Sequence, residues 1–419
     1  MPHSDLAGPH RGTQGIGRVA VLSSATAGGA GIATARLVAA LRAQPGLTVD
    51  LHSAETLGGV LPAEVAPIVN LSNRRHTDTL FTLQYPGFRR DEIIERLAGY
   101  DLVNIHWSCY ILSLAEIEAL ARGGTRILFW LHDFHYVTGG CHYPAGCLGM
   151  TRGCLSCPQA DQTRCDVGFV PVNLRIKRAI FAHPNVHLSA PSAWLRNRAV
   201  MSGIVPAERA HILRNPYAAP GPVLPHSGDG GRRIMVIADT LAERRKGVER
   251  AVEVANALAD TLHAVRPHRQ ASLDLVGTMD EGLRGLLARC RLPHRIHGNI
   301  ADPQHLAALY AACDIVLSCS TEDNWPNVLV EAGAQGCVPV VGPGHGCEEF
   351  AKAFGIGAVA RSDSAADFTA ALLSVIDHPA AQAARLQIAQ RVRSAHAPPT
   401  VAAQFLRIGA LIEASAGPP

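Results

Sequence analysis

The sequence predicts an α/β chain of two doubly wound parallel sheets facing each other across a cleft. Three observations predict it. Short β-branched runs alternate with Ala/Leu/Arg-rich stretches of helical spacing through most of the 419 residues. The alternation stops at residues 215–232 (NPYAAPGPVLPHSGDGGR), whose four prolines and four glycines are linker composition. It then restarts for a second set of comparable length.

In the first half, residues 18–24 (RVAVLSS), 47–53, 102–106 and 127–132 (ILFWLH) read as buried strands, with shorter ones at 186–190 and 211–213. Residues 32–41 have helical spacing, and Ser113-Leu114-Ala115-Glu116 is a capping box that opens another helix. In the second half, strands are expected at 233–238 (RIMVIA), 272–277, 295–298, 315–318 and 338–342. Helices are expected from Val248 and over 303–313 and 328–335. The resulting division is a tail over 1–17, a first domain over 18–215, a linker over 216–232 and a second domain over 233–397. A C-terminal helix within 398–419 is expected to cross back to the first domain. Strands separated by helices imply right-handed crossovers, and ligands at the carboxyl ends of two facing sheets imply a two-substrate cleft.

Composition removes several classes. With 47 % hydrophobic and 17 % charged residues, the chain is neither disordered nor collagen-like. A net charge of +3 is too balanced for a protein whose task is gripping nucleic-acid phosphate. Residues 1–17 lack the apolar core of a signal peptide, and no apolar run reaches the ~18 residues of a membrane span, so a cytoplasmic protein without a transmembrane segment is expected. Only Lys177, Lys246 and Lys352 among the 38 basic residues are lysines. Of 11 cysteines, Cys141, Cys147, Cys154, Cys157 and Cys165 fall within 25 residues, and the other six are scattered in apolar surroundings that suit reduced thiols.

The loops after strands carry the candidate chemistry. Gly28-Gly29-Ala30-Gly31 runs into a helix, where backbone amides can approach a phosphate. Gly29-x-Gly31 with Asp50 farther on also permits an NAD-dependent dehydrogenase, although Thr34 stands where that fingerprint wants Gly or Ala. His132-Asp133 ends a buried strand, a place to meet a ligand or simply a histidine bonded to its neighbour. The cysteine run offers Cys141, Cys147, Cys154 and Cys157 as a structural zinc site, with disulfides or free thiols as competing readings. Lys246, beside Gly247 at a helix start, points to phosphate. Asp323 and Glu331 can present acceptors to sugar hydroxyls, and the amides near Asn327 and Val328 can face a phosphate. No Asp-x-Asp occurs, which lowers the expectation of a metal-dependent nucleotide-sugar site.

Taken together, Gly28-Gly29, VNIHW (residues 103–107), LHD (131–133), TGGCHY…GC…GC..CP (138–158), RKG (245–247) and EDNWPN…EA (322–332) resemble family-4 glycosyltransferases of the GT-B fold. The cysteine run is similar to a branch that includes bacterial colanic-acid-type exopolysaccharide transferases. The resemblance spans residue 18 to the C-terminal helix. It implies a retaining sugar transfer from a UDP- or GDP-sugar without a catalytic metal, to a small natural product or a glycan or lipid-linked acceptor. It further implies Glu331 on the ribose, Asp323 facing the donor sugar, Lys246 with Arg245 on the diphosphate and Gly28 and Gly29 closing over the phosphate. His132 would line the reaction centre, and Gly298, Asn299 and Ile300 would meet the base. Many relatives place an arginine five residues before the lysine, where this chain has Leu241. A nucleotide-sugar epimerase or hydrolase, and a zinc-dependent interaction protein with a degenerate transferase body, are the other readings.

Overall fold

The computed structural model describes residues 15–24, 28–57, 68–71, 80–84, 87–160, 168–223, 231–377 and 382–416. Residues 1–14 of the expected tail, the Cys165 position and the last three residues of the expected C-terminal segment lie outside them.

The first domain is built from β1 (Arg18–Ser23), α1 (Gly28–Arg42), β2 (Thr48–His52), α2 (Ala54–Leu57), β3 (Ile68–Leu71), β4 (Leu80–Leu83), α3 (Asp91–Ala98), β5 (Leu102–Trp107), α4 (Leu114–Arg122), β6 (Ile127–Trp130), α5 (Phe169–Ala182), β7 (Val186–Ala190), α6 (Ala193–Met201) and β8 (Ala210–Ile212). Six strands pair in parallel in the order β2-β1-β5-β6-β7-β8, while β3 and β4 form a separate antiparallel pair. The capping box at Ser113 is fully formed, with the serine taking the Glu116 amide and the glutamate taking the serine's.

The second domain contains β9 (Arg232–Thr240), α7 (Val248–Val265), β10 (Ala271–Thr278), α8 (Glu281–Leu287), β11 (His294–Gly298), α9 (Pro303–Ala312), β12 (Ile315–Ser318), α10 (Asn327–Gly333), β13 (Val338–Val341), α11 (Gly346–Phe354), β14 (Ala358–Val359), α12 (Ala365–Asp377) and α13 (Gln382–Ala395), and α14 (Pro398–Ala416) closes the chain. Its parallel sheet runs β11-β10-β9-β12-β13-β14, the doubly wound order that starts in the middle and reverses once.

Both sheets are covered on both faces, which is why their central strands are apolar at consecutive positions rather than alternate ones. Val19, Ala20, Val21 and Leu22 are all fully buried. One face of the first sheet packs on α3, α4 and α5 through Ile93, Ile117 and Leu174. On the other face, Leu37 and Leu41 of α1 meet Val401, Phe405 and Ile412 of α14. Arg126 and Glu413 pair at 2.9 Å along the same contact. The last helix is therefore part of the first domain's core.

Two features not read from the sequence have physical reasons. Residues 169–182 form α5 despite Pro171, because a proline in the first turn forfeits only an amide that has no intrahelical partner. The proline-rich segment at 215–223 is packed, with Tyr217 buried and its amide donating to the His396 carbonyl at 2.7 Å. The remaining linker positions 224–230 lie outside the described residues.

Candidate active site

In each sheet the strand order reverses once, between β1 and β5 and between β9 and β12, and loops leaving the carboxyl ends there diverge to leave a crevice. The two crevices face each other. Loops after β1, β5 and β6 and loops after β9, β10 and β12 enclose a cleft of about 770 Å³.

On the second-domain side, β9 is followed by one tight turn, Arg244–Lys246, and by Gly247 in the left-handed region at φ 67°. A Cβ at Gly247 would stand 2.0 Å from the Cys319 carbonyl oxygen, so only glycine lets this turn lie against the loop after β12. The approach brings two cations onto one carboxylate. Lys246 Nζ donates to Asp323 Oδ2 at 2.8 Å and Arg245 Nη1 to the same oxygen at 3.1 Å. Arg245 also donates to the Glu322 carbonyl at 2.8 Å and to Glu243 Oε1 at 2.9 Å, and the Tyr143 ring lies 3.9 Å from its guanidinium carbon. Burial by itself raises the Asp323 pKa, but Lys246 and then Arg245 outweigh it and hold the carboxyl well below the usual carboxylate range. Asp323 Oδ1 accepts the Asn324 amide at 2.9 Å. Asp323 is thus committed to orienting the cations. Lys246, the more exposed of the two, is the one whose ammonium can reach a ligand. Leu241 is buried and adds no charge.

Glu331 sits on α10, with Oε1 2.7 Å from Arg36 Nη2 and Oε2 3.3 Å from the Tyr310 hydroxyl. Arg36 comes from α1 of the other domain and lies 4.7 Å over the Tyr217 ring. Beside it, Asn327 Nδ2 donates to the Gly29 carbonyl at 3.1 Å and Asn327 Oδ1 accepts from Asn215 at 3.0 Å. The Ala145 amide donates to Glu322 Oε2 at 2.8 Å, and Asn324 donates to the His132 carbonyl. At the far end of the interface, Glu349 of α11 caps α6 by accepting the Ala193 and Trp194 amides at 2.8 and 2.7 Å. The domains are therefore closed on each other around the cleft.

His132, Asp133 and Lys246 line the cleft with Gly28, Gly29, Arg245, Asn299, Ile300, Asp323, Asn327, Val328 and Glu331. Gly298, the last residue of β11, does not. Asp133 turns away from His132. Its Oδ1 accepts the His135 amide at 2.7 Å and its Oδ2 bonds His142 Nδ1 at 2.8 Å, which pins the loop that follows. Burial pushes His132 down to about 4, so it is neutral at pH 7.

The dinucleotide features do not assemble. Asp50 lies within β2, accepts the Tyr100 hydroxyl at 2.7 Å and is absent from the cleft lining. Thr34, in the place of the third glycine, reaches His106.

Cys141, Cys147, Cys154 and Cys157 surround one small, mostly apolar void of about 10 Å³, and the Gly149 amide points at Cys147 Sγ at 3.3 Å. All four are free thiols. Among the described residues no group of three or more His, Cys, Asp or Glu side chains is arranged to hold a metal ion. Burial pushes the Cys141 and Cys154 thiols up, which favours their neutral, weakly nucleophilic form.

Sequence reasoning missed Arg36, Tyr143, Asn104 and His106. Arg36 and Tyr143 carry no local signal, since each acts on a residue of the other domain. Asn104-x-His106 was visible only as two polar residues in an otherwise apolar strand, which is itself the signal of a satisfied buried pair.

Comparison with known proteins agrees with this architecture. Residues 227–393 match the family model "Glycosyl transferases group 1", so the second domain is a domain of that group. The whole chain has the GT-B fold, two Rossmann-like domains about a cleft. A sucrose-phosphate synthase from Thermosynechococcus elongatus superposes with a TM-score of 0.60 at 17 % identity, covering 95 % of this chain and 99 % of that one. HepE of Anabaena in complex with UDP gives 0.56 at 17 % identity, over 93 % and 98 %. WaaG, a glycosyltransferase involved in lipopolysaccharide biosynthesis, gives 0.56 at 15 % identity, over 93 % and 99 %. No curated protein matches the chain. Among the described residues no helix is long and apolar enough to cross a membrane.

Proposed function

We propose that the protein is a glycosyltransferase that moves a sugar from a UDP- or GDP-sugar to an acceptor hydroxyl, with retention of anomeric configuration and without a catalytic metal. The observation that carries this reading is the placement of Lys246, braced on Asp323, across one cleft from Glu331, within the domain matched to glycosyl transferases group 1. In the bound state Glu331 accepts ribose hydroxyls and Lys246 takes the diphosphate. The base lies against Asn299 and Ile300, and the sugar lies towards His132. Solved neighbours that hold UDP and UDP-glucose support a nucleotide-sugar donor.

Chemically, a sugar leaving a diphosphate loads negative charge onto the phosphate oxygens. An ammonium held in place in the cleft by Asp323 stabilises that charge without reorganising. Retention is the outcome expected if the departing phosphate helps to deprotonate an acceptor approaching from the same face. Binding of the donor must compete for two internal ion pairs, Lys246–Asp323 and Arg36–Glu331. The acceptor side is the first domain, where Trp107, Tyr110 and His142 meet the cleft. This suits a small natural product or the sugar end of a glycan or lipid-linked intermediate.

The test is a screen of nucleotide sugars with purified protein, following thermal stabilisation by UDP and GDP together with slow donor hydrolysis. Stabilisation by one nucleotide and release of it from one donor is expected. No shift by either nucleotide at millimolar concentration overturns the reading. Release of an epimerised nucleotide sugar instead of free nucleotide identifies an epimerase.

A further inference from the structure

Behind His132 runs a buried chain of polar groups that the reading above leaves unused. Asn104 and His106 alternate with apolar residues on β5, both fully shielded from solvent. Asn104 Nδ2 donates to the Leu128 carbonyl at 2.8 Å, so its Oδ1 is the atom facing His106 Nε2, also at 2.8 Å. The flipped amide would set a carbonyl against a carbonyl. An amide oxygen only accepts, so His106 must carry its proton on Nε2. An imidazolium at His106 would have no acid among its bonded partners, which are Asn104, Thr34 and His132, and an unpaired buried charge is costly. His106 is therefore neutral, and its Nδ1 is a bare lone pair. His132 Nε2 lies 2.8 Å from that lone pair and must donate to it. The Thr34 hydroxyl, 3.0 Å from Nδ1, also has the Ala30 carbonyl at 2.9 Å to donate to. Stacking on Trp130, with ring centroids 5.2 Å apart, holds the His106 ring in place. With its one proton on Nε2, His132 has an unprotonated Nδ1 that bonds no described residue, on a side chain that lines the cleft.

We infer that Asn104 and His106 are positioning residues that fix the tautomer of His132, so that the cleft is presented with a hydrogen-bond acceptor, Nδ1, that selects a hydroxyl group of the bound sugar or acceptor. The inference rests on the glycosyl-transfer reading for its ligand, but not for the tautomer. The chain discriminates because the opposite tautomer would offer an N–H, which suits a carbonyl or phosphate oxygen as well as a hydroxyl. A buried relay of this kind is as specific as a direct contact, because every member has only one satisfied protonation pattern.

Histidine-selective ¹⁵N labelling and long-range ¹H–¹⁵N correlation at pH 7 test it, with His132 assigned by the signals that vanish in His132→Asn. A protonated Nε2 and bare Nδ1 are expected. His106→Phe keeps the stacked ring but deletes the lone pair, and His132 should then populate both tautomers. Asn104→Asp supplies a carboxylate that stabilises the His106 imidazolium, whose Nδ1–H then donates to His132 and moves the His132 proton to Nδ1. A wild-type His132 with a protonated Nδ1 overturns the inference, as does an unchanged tautomer in both folded variants. With the donor that gives turnover, either variant should lower kcat/KM by about tenfold, the order of one lost oriented hydrogen bond. The tautomer is read without substrate. Absence of any donor activity therefore defeats the transferase reading alone, while turnover by an enzyme with the wrong tautomer defeats this inference alone.

Discussion

Arg36 of the first domain lies 2.7 Å from Glu331 of the second, so the carboxylate assigned to the nucleotide is occupied by an internal cation while the cleft is closed. Glu331 is largely buried, its other oxygen is held by Tyr310, and Arg36 is braced by the Tyr217 ring. Donor binding therefore exchanges one partner of Glu331 for another. Arg36→Ala removes the competitor and should tighten UDP or GDP binding several-fold in titration calorimetry, while loosening the closed state seen by small-angle scattering without nucleotide. Weaker nucleotide binding in this variant would mean that Arg36 is itself a ligand for the donor. Glu331→Ala should abolish most turnover without unfolding the chain, and near-normal rates would remove it from the site.

Lys246 and Asp323 share a hydrogen bond, yet their substitutions should differ in kind. Lys246 is partly exposed, and its removal leaves the buried Asp323 still paired with Arg245. Lys246→Ala should cost about 10²–10³-fold in kcat, as for other single charge-stabilising donors, with little change in melting temperature. Asp323 compensates the buried Arg245 as well. Asp323→Ala should destabilise the fold by about 3–5 kcal/mol in chemical denaturation, because breaking a buried pair strands its partner. Equal stability loss in both variants would show that Arg245 is satisfied by Glu243 and the Glu322 carbonyl alone.

The thiols of the 141–157 loop offer a chemical readout. Cys147 and Cys290 are half-buried, while Cys141, Cys154 and Cys157 are buried. Among the described cysteines, Cys147 and Cys290 should react first with an aromatic disulfide reagent in the native protein, and the buried three only on unfolding. Elemental analysis of protein in metal-free buffer tests a structural zinc on these thiols, and less than half an equivalent counts against it. A full equivalent of zinc together with a silent Cys147 would support the four-thiolate site.

Much of the fold was legible because burial on both faces writes strands as continuous apolar runs. Residues 186–190 and 315–318 coincide with β7 and β12, and Val248 is the first residue of α7. Lys246, Asp323 and Glu331 were legible because their loops follow strands at the sheet reversals, where a ligand must lie. Arg36 was not, since a lone arginine on α1 reads as a solvated position until the second domain is placed against it. His106 was hidden for the opposite reason. A buried histidine in a strand has no outward sign of purpose, and only the donor–acceptor pattern of Asn104, His106 and His132 gives it one.

A final expectation concerns acid. His396, buried at the end of α13, accepts the Trp325 indole N–H at 3.0 Å and donates from Nδ1 to the Val392 carbonyl at 2.8 Å, so the folded state needs it neutral. Burial pushes it down to about 4 from the ordinary 6.5. Between those values the unfolded chain binds a proton that the folded chain refuses, and stability falls as pH is lowered through that window. The contribution is fully present above pH 6.5 and lost progressively towards pH 4, at about 1.4 kcal/mol per unit. His132, also pushed to about 4, adds to the same acid limb. His396→Gln can still accept from Trp325 but does not titrate. Its unfolding free energy, measured by urea at pH 7 and pH 5, should therefore fall less than that of the wild type. Parallel losses in the two proteins would mean that the acid sensitivity arises elsewhere.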